Sequence, residues 1–160
     1  IKNDCNIMSW PLTRPMSEAE LYKSQLDEAI RKYPEGKPPI FAIMRHACVY
    51  DHADRWEMPV KAAQRQLGQF ENLFKNLGDV CNGFSQSVDL DSIANRDEYD
   101  PKMLHDNLLF GTPDEVIDKL KLYEEIGVDE FIYYASLGLG HKEQLHSMQL
   151  FINEVMPAFR

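Results

Sequence analysis

One segment limits the possible folds more than any other. Residues 40–50, Ile-Phe-Ala-Ile-Met-Arg-His-Ala-Cys-Val-Tyr, are apolar almost without interruption. A strand with one face in water alternates apolar and polar residues, whereas a strand covered on both faces is apolar nearly throughout. The segment therefore predicts an interior strand of a parallel sheet with helices packed against it.

Helical patterns come before and after this strand. Ser17 and Glu20 have the spacing of a capping box, and the helix after them is expected to end at Pro34. A second helix is predicted over 54–77, ended by Gly78. The apolar sides of these two helices are predicted to consist of Tyr22, Leu26, Ala29, Ile30 and Tyr33 in the first, and Leu67, Phe70, Phe74 and Leu77 in the second.

A third helix start is stronger than the others. Thr112 suits the N-cap, Pro113 the first helical position and Glu115 the third, and Gly127 suits the helix end. Val116, Leu120 and Tyr123 form its predicted inward side, and a last helix before Pro157 places Leu145, Met148, Ile152 and Val155 on one side.

Short strands are predicted at 5–10 and 131–135, so strands alternate with helices along the chain. Such alternation predicts a single α/β domain with parallel strands and right-handed crossovers.

Between 79 and 106 the periodicity is lost, and Asn, Asp, Ser and Gly dominate. Long connections of this kind are commonly lids, and we predict a lid-like loop at 82–105.

Charge and composition exclude several classes of function. The formal net charge of -9 would repel a phosphate backbone, so no nucleic-acid partner is expected. No apolar run has the roughly 18 residues of a membrane span, and a cytoplasmic protein is predicted. Cys5, Cys48 and Cys81 are too widely spaced for a C-x-x-C pair and are expected to be free thiols.

Five segments together carry a resemblance to a known family: residues 6–10, 49–52, 111–116, 123–131 and 148–160. The third segment is the Gly-Thr-Pro-Asp-Glu-Val helix start. In this order along the chain, the five segments resemble bacterial luciferase-like flavin monooxygenases.

The resemblance implies a partial (β/α)8 TIM barrel, with residues 1–160 as a single C-terminal part that supplies roughly its last three strands and their helices. Such barrels need about 250 residues, more than the 160 of this chain. Because the chain begins at Ile1, we expect an upstream part. The resemblance implies that this part carries the usual catalytic histidine and much of the flavin phosphate site. This chain alone is then expected to be inactive, and no catalytic residue is assigned to it.

The resemblance also implies an activity. Reduced FMN, or a deazaflavin in some relatives, would react with O2 to oxygenate a small organic substrate, and a separate flavin reductase would supply the reduced flavin. The intact protein is expected to be a dimer. The alternative is a non-catalytic β/α binding module or an inert proteolytic remnant.

Candidate site residues follow from the barrel, whose active sites lie at the carboxyl ends of the strands. The resemblance implies that Met8, Ser9 and Trp10 bind the cofactor, with Trp10 beside the flavin ring or, alternatively, in ordinary packing. Residues predicted to bind substrate or to act in the lid are Arg96, Ser136 and His141, although Arg96 has acidic neighbours and the glycines near Ser136 suit a simple turn.

Two further questions remain open at the level of sequence. Arg45 and His46 are neighbours on a strand, so they point to opposite faces, and a buried arginine needs an acidic partner or an anion. The five histidines lack the H-x-H or H-E-x-x-H spacing of a metal site, so no metal is predicted.

Overall fold

The computed structural model describes residues 1–75, 80–85, 89–93 and 95–159. It is an α/β fold in which helices pack on a parallel sheet. The strands are β1 (Ile7–Ser9), β2 (Phe41–Val49), β3 (Val80–Cys81), β4 (Phe84–Ser85), β5 (Leu109–Gly111) and β6 (Glu130–Tyr134). The α-helices are α1 (Met16–Lys32), α2 (Glu57–Lys75), α3 (Leu90–Ile93), α4 (Pro101–Asn107), α5 (Pro113–Glu125) and α6 (His141–Leu150).

Strand β2 is the centre of the sheet. It pairs in parallel with β1, β5 and β6, and all but one of its nine residues are buried. The predicted interior strand is therefore confirmed. Strand β5 was not predicted, because three residues are too few to show a period.

Helices cover β2 on both faces. Phe41, Ile43 and Val49 belong to a core cluster with residues of α1 and α5, whereas Cys48 and Tyr50 belong to a second cluster with residues of α2 and α4. Burial of these side chains is the main stabilising contribution, at about 25 cal/mol per Å² of apolar surface.

Helix α5 begins and ends as predicted. The Glu115 carboxylate accepts a hydrogen bond from the backbone N–H of Thr112 at 2.8 Å, and Pro113 is the first helical residue. The predicted inward side is buried at Val116, Leu120 and Tyr123. Gly127 follows the helix with φ +82°, a conformation that glycine adopts without a steric penalty.

The start predicted for α1 is wrong. The helix begins at Met16 after Pro15, and no side chain caps it, so Ser17 lies inside the helix rather than at its N-cap. The Pro15 carbonyl instead accepts a bond from the N–H of Glu18 at 3.1 Å, and Arg45 donates to it at 3.4 Å. A long-range contact thus helps fix where this helix starts.

The apolar side predicted for the last helix is confirmed only at Val155. Leu145, Met148 and Ile152 are exposed, whereas Leu150 and Val155 are buried. After α6 the chain forms a π-helical turn, Phe151–Val155, and then a 3₁₀ turn, Met156–Phe159. The buried residues of α6 are Ser147 and Leu150. A π turn contains more residues than an α turn, so Val155, five positions after Leu150, comes to lie on their side.

Segment 79–106 was predicted to be without regular structure, which is wrong for much of its described part. It contains the β3–β4 hairpin, helices α3 and α4, and a 3₁₀ turn, Asp97–Tyr99, with Tyr99 and Leu104 buried. The lid role of 82–105 stays a prediction. Leu77, Gly78 and Val88, and the side chain of Phe74, lie outside the described residues.

No helix in the described part of the chain is both long and apolar enough to cross a membrane.

Candidate functional site

Three aromatic rings meet near the carboxyl ends of β1, β2 and β6. The rings of His46 and Tyr134 are stacked with centroids 4.6 Å apart. Trp10 meets both rings edge-on, at 5.6 Å from His46 and 5.4 Å from Tyr134. We call these three residues the aromatic cluster.

Strand register explains why these rings meet. His46 and Tyr134 are direct partners in the parallel β2–β6 pair, so their side chains are neighbours on one face of the sheet. Met8 is in register with Ala42 and belongs to this face, whereas Ser9 is in register with Ile43 on the opposite face. Trp10 follows directly after β1.

Arg45 points away from the cluster, which answers the question left open by the sequence. It is fully buried, and its Nε donates to the Tyr123 hydroxyl at 2.8 Å. Its Nη1 donates to the carbonyls of Leu12 at 3.0 Å and Arg14 at 2.7 Å. Carbonyl and hydroxyl oxygens therefore take the place of the expected acid or anion, and they fix the loop that follows Trp10.

His46 is 1% exposed, and burial lowers its pKa to about 4. It is therefore a neutral imidazole at pH 7. In the described part of the chain, neither His46 Nδ1 nor Trp10 Nε1 has a hydrogen-bond partner. Buried polar atoms without partners cost free energy and are rare in native proteins, so two of them in one cluster indicate a missing polar group.

An apolar cavity of about 420 Å³ borders the cluster. Its walls come from the loop after β1, from β2, from α2 and from the 3₁₀ turn Asp97–Tyr99. Its lining residues are Trp10, Leu12, Thr13, His46, Leu67, Phe70, Glu71, Glu98 and Tyr99.

Arg96 binds the acidic residues at this cavity. Its guanidinium donates to both carboxylate oxygens of Glu71, at 2.7 and 2.8 Å, and to Glu98. The hydroxyl of Tyr99 also donates to Glu71. These contacts fasten the 96–99 segment to α2. Arg96 is therefore salt-bridged to two acidic residues, and Glu98 is one of its acidic neighbours in the sequence.

A second cavity, of about 560 Å³, lies beside the first and shares Phe70 with it. Ser136 lies in this polar cavity, as do residues of α2 that the sequence did not single out. Its lining residues are Ala62, Arg65, Gln66, Gln69, Phe70, Tyr134, Ser136, Leu137 and Gly138.

The structure groups only some of the predicted site residues. Trp10 lines the apolar cavity and Ser136 the polar one, whereas Met8 is 55% exposed and His141 is an exposed residue at the start of α6. Tyr134 was missed, although its place near the end of a predicted strand was a usable indication. The described side chains contain no group of three or more that could hold a metal ion.

Two comparisons with known proteins bear on this site. No family model matches the chain. Over 159 residues it is 29% identical to the "Flavin-dependent trigonelline monooxygenase, oxygenase component" of Acinetobacter baylyi, a match that covers 99% of this chain and 44% of that protein. The chain thus spans less than half the length of this relative.

Proposed function

We propose that this chain forms part of the oxygenase component of a flavin-dependent monooxygenase, which oxygenates a small organic molecule with reduced flavin and O2. The observation that carries the proposal is the aromatic cluster, with its two unpaired polar atoms, beside an apolar cavity near the carboxyl ends of parallel strands. The name of the similar protein supports it and suggests a separate flavin reductase as partner.

A finer proposal concerns the fold. We infer that residues 1–160 are the C-terminal part of a luciferase-like (β/α)8 barrel. The parallel strands and their alternation with helices agree with such a barrel, as does a relative more than twice as long. The open sides of the cluster would then be completed by other segments of the same barrel.

The cavity suits the ring system of a flavin. An isoalloxazine is flat, with a polar edge, and the rings of Trp10 and His46 line this cavity. Each of these two rings carries a buried nitrogen without a hydrogen-bond partner in the described part of the chain. The phosphate of FMN does not suit this cavity, because its described charged lining residues are Glu71 and Glu98. Basic groups elsewhere in the protein would have to bind that phosphate, and a deazaflavin fits the same ring site.

When bound, reduced flavin supplies the electrons that activate O2 for transfer to the substrate. Trp10 would shield a bound ring from water. Met8 lies on the same sheet face as the cluster, whereas Ser9 lies on the opposite face, so any contact of Ser9 with the ring would be through its backbone. His46, held by its stack on Tyr134, would contribute a neutral imidazole to the site of a bound ring. Arg96 holds the 96–99 segment against α2 at the wall of the cavity, and a lid role for 82–105 would require this contact with Glu71 to open.

Trp10→Ala in the intact enzyme tests this proposal. Opening the cavity to water should raise the hydrogen peroxide formed per reduced flavin consumed and lower the oxygenated product, while Trp10→Phe keeps an aromatic face and most of the product. Trp56→Ala is the matched control, because Trp56 contacts His105 outside the cluster. If Trp10 serves packing alone, Trp10→Ala should cost about 3–5 kcal/mol of stability and leave the peroxide-to-product ratio unchanged.

A further inference from the structure

The polar cavity is built differently from the apolar one beside it. Its polar lining residues are Arg65, Gln66 and Gln69 from α2 and Ser136 from the loop after β6, and it contains no carboxylate. Tyr134 of the aromatic cluster forms part of its wall. The polar cavity thus adjoins the aromatic cluster at Tyr134 and the apolar cavity at Phe70.

Arg65 has no carboxylate partner among the residues that the structure describes, although the chain carries nine more acidic than basic residues. By contrast, Lys23, Lys61 and Arg96 each form an ion pair. A guanidinium that faces a cavity with free donors is suited to the two oxygens of a carboxylate.

The neighbouring groups add to this preference. Gln66 lines the cavity, and its Oε1 is buried without a hydrogen-bond partner in the described part of the chain, so no hydrogen bond through this oxygen holds the amide in its present orientation. A side-chain amide can also turn over to present its N–H donors. Gln69 and Ser136 supply further donors at the same cavity.

We propose that this cavity is a subsite for the carboxylate of the substrate, so that the substrate class is a small organic acid whose remaining part reaches the aromatic cluster. This inference rests on the proposed function, because it assigns the substrate of that same site. Arg65 binds the carboxylate oxygens, Gln69 and Ser136 donate to them, and Phe70 and Tyr134 border the apolar part of the molecule.

Binding of two matched probes to the 160-residue chain tests the subsite. Benzoate and benzamide have nearly the same shape, and NMR titration at constant ionic strength gives both affinities. We expect benzoate to bind about tenfold more tightly, since a hydrogen bond to a charged group is stronger than a neutral one. Equal affinities would overturn the proposal.

Substitutions locate the binding. Arg65→Gln should weaken benzoate by about tenfold and leave benzamide unchanged, and Arg65→Lys should restore part of the loss. Arg31→Gln, an exposed residue of α1, should change neither probe. Unchanged benzoate affinity in Arg65→Gln would overturn the proposal, and the thermal midpoint of each unliganded variant shows whether it is folded.

Two further measurements distinguish a carboxylate subsite from a phosphate site and test the flavin site separately. Inorganic phosphate and acetate are compared as competitors of benzoate. If phosphate displaces benzoate at a lower concentration than acetate does, the cavity binds a phosphate group and the carboxylate assignment is overturned. Lumiflavin binding is measured on the same samples. The Arg65→Gln chain is expected to bind lumiflavin as the wild-type chain does. A wild-type chain that prefers benzoate but does not bind lumiflavin would contradict the flavin proposal and leave the anion subsite in place.

Discussion

His46 is held neutral by burial, and this makes stability depend on pH. Its pKa of about 4 lies below the usual value of 6.5, so between these values the unfolded chain binds a proton that the folded chain does not. Stability is fully present above about pH 6.5 and decreases as the pH falls to about 4. The shift corresponds to about 3 kcal/mol.

Urea unfolding at several pH values between 4.5 and 7 checks this prediction. His46→Phe keeps a ring on Tyr134 and should reduce the loss of stability at low pH, whereas His141→Gln, which alters an exposed histidine, should not. An identical pH dependence in the His46→Phe chain would show that another group is responsible.

For single residues, the sequence predicted that Trp10 lies at the carboxyl end of the first strand, but it did not predict the contacts of its ring with His46 and Tyr134. It established that Arg45 and His46 point to opposite faces, and the strand pattern could not say which faces the cluster, because both flanking positions are apolar. Arg96 has a partner, Glu71, that lies 25 residues away in the sequence. Such a pairing depends on how the 96–99 segment packs on α2, and local sequence carries no information about it.

Among the elements, α5 is fastened to its neighbours by Lys119. Its ammonium donates to the carbonyls of His105 at 2.6 Å, Leu108 at 3.0 Å and Phe110 at 2.9 Å, and burial lowers its pKa to about 8. These bonds satisfy carbonyls near the end of α4 and in β5. The amine thereby links three elements.

Lys119→Met should lower the free energy of unfolding by about 2–3 kcal/mol, since it keeps the apolar stem and leaves buried carbonyls without a donor. Lys121→Met is the matched control on the same helix, because the Lys121 side chain is 54% exposed. Chemical unfolding of both variants measures the difference. Equal stabilities would contradict the linking role of Lys119.

Elements with strong local rules were predictable, and elements set by tertiary contacts were not. The central strand and α5 follow from an apolar run and from capping residues that satisfy their own backbone. The start of α1 depends on Arg45, 30 residues from Pro15, and β5 is visible only through its pairing with β2. The π turn after α6 has no counterpart in simple helical periodicity.

For the whole molecule, we predict that limited proteolysis first cleaves within 82–105. Phe84 is 78% exposed, and described apolar anchors in the segment are few, chiefly Ile93, Tyr99 and Leu104. Ordering a residue costs about 1–2 kcal/mol, so a segment with few anchors opens most readily. Mass spectrometry of the earliest fragments identifies the site, and first cleavage inside α2 or α5 would contradict the lid assignment.

The α/β class and the parallel sheet were predictable for the whole molecule, because they depend only on the order of patterns along the chain. The two adjoining cavities were not, since they form where α2 crosses the carboxyl ends of strands distant in sequence. In the sequence, Arg65 and Gln66 show only the pattern of a polar helix face. Their place at a cavity depends on where α2 packs.

The most direct test of the flavin site is the fluorescence of Trp10 during titration with lumiflavin, which has the flavin ring without its phosphate. In a Trp56→Phe chain, Trp10 is the remaining tryptophan. We predict saturable quenching with a Kd above about 10 μM, and FMN bound no more than about threefold tighter, because the described charged residues that line this cavity, Glu71 and Glu98, are carboxylates. Quenching that only rises linearly, as with free tryptophan in solution, would contradict the assignment of the aromatic cluster to a flavin.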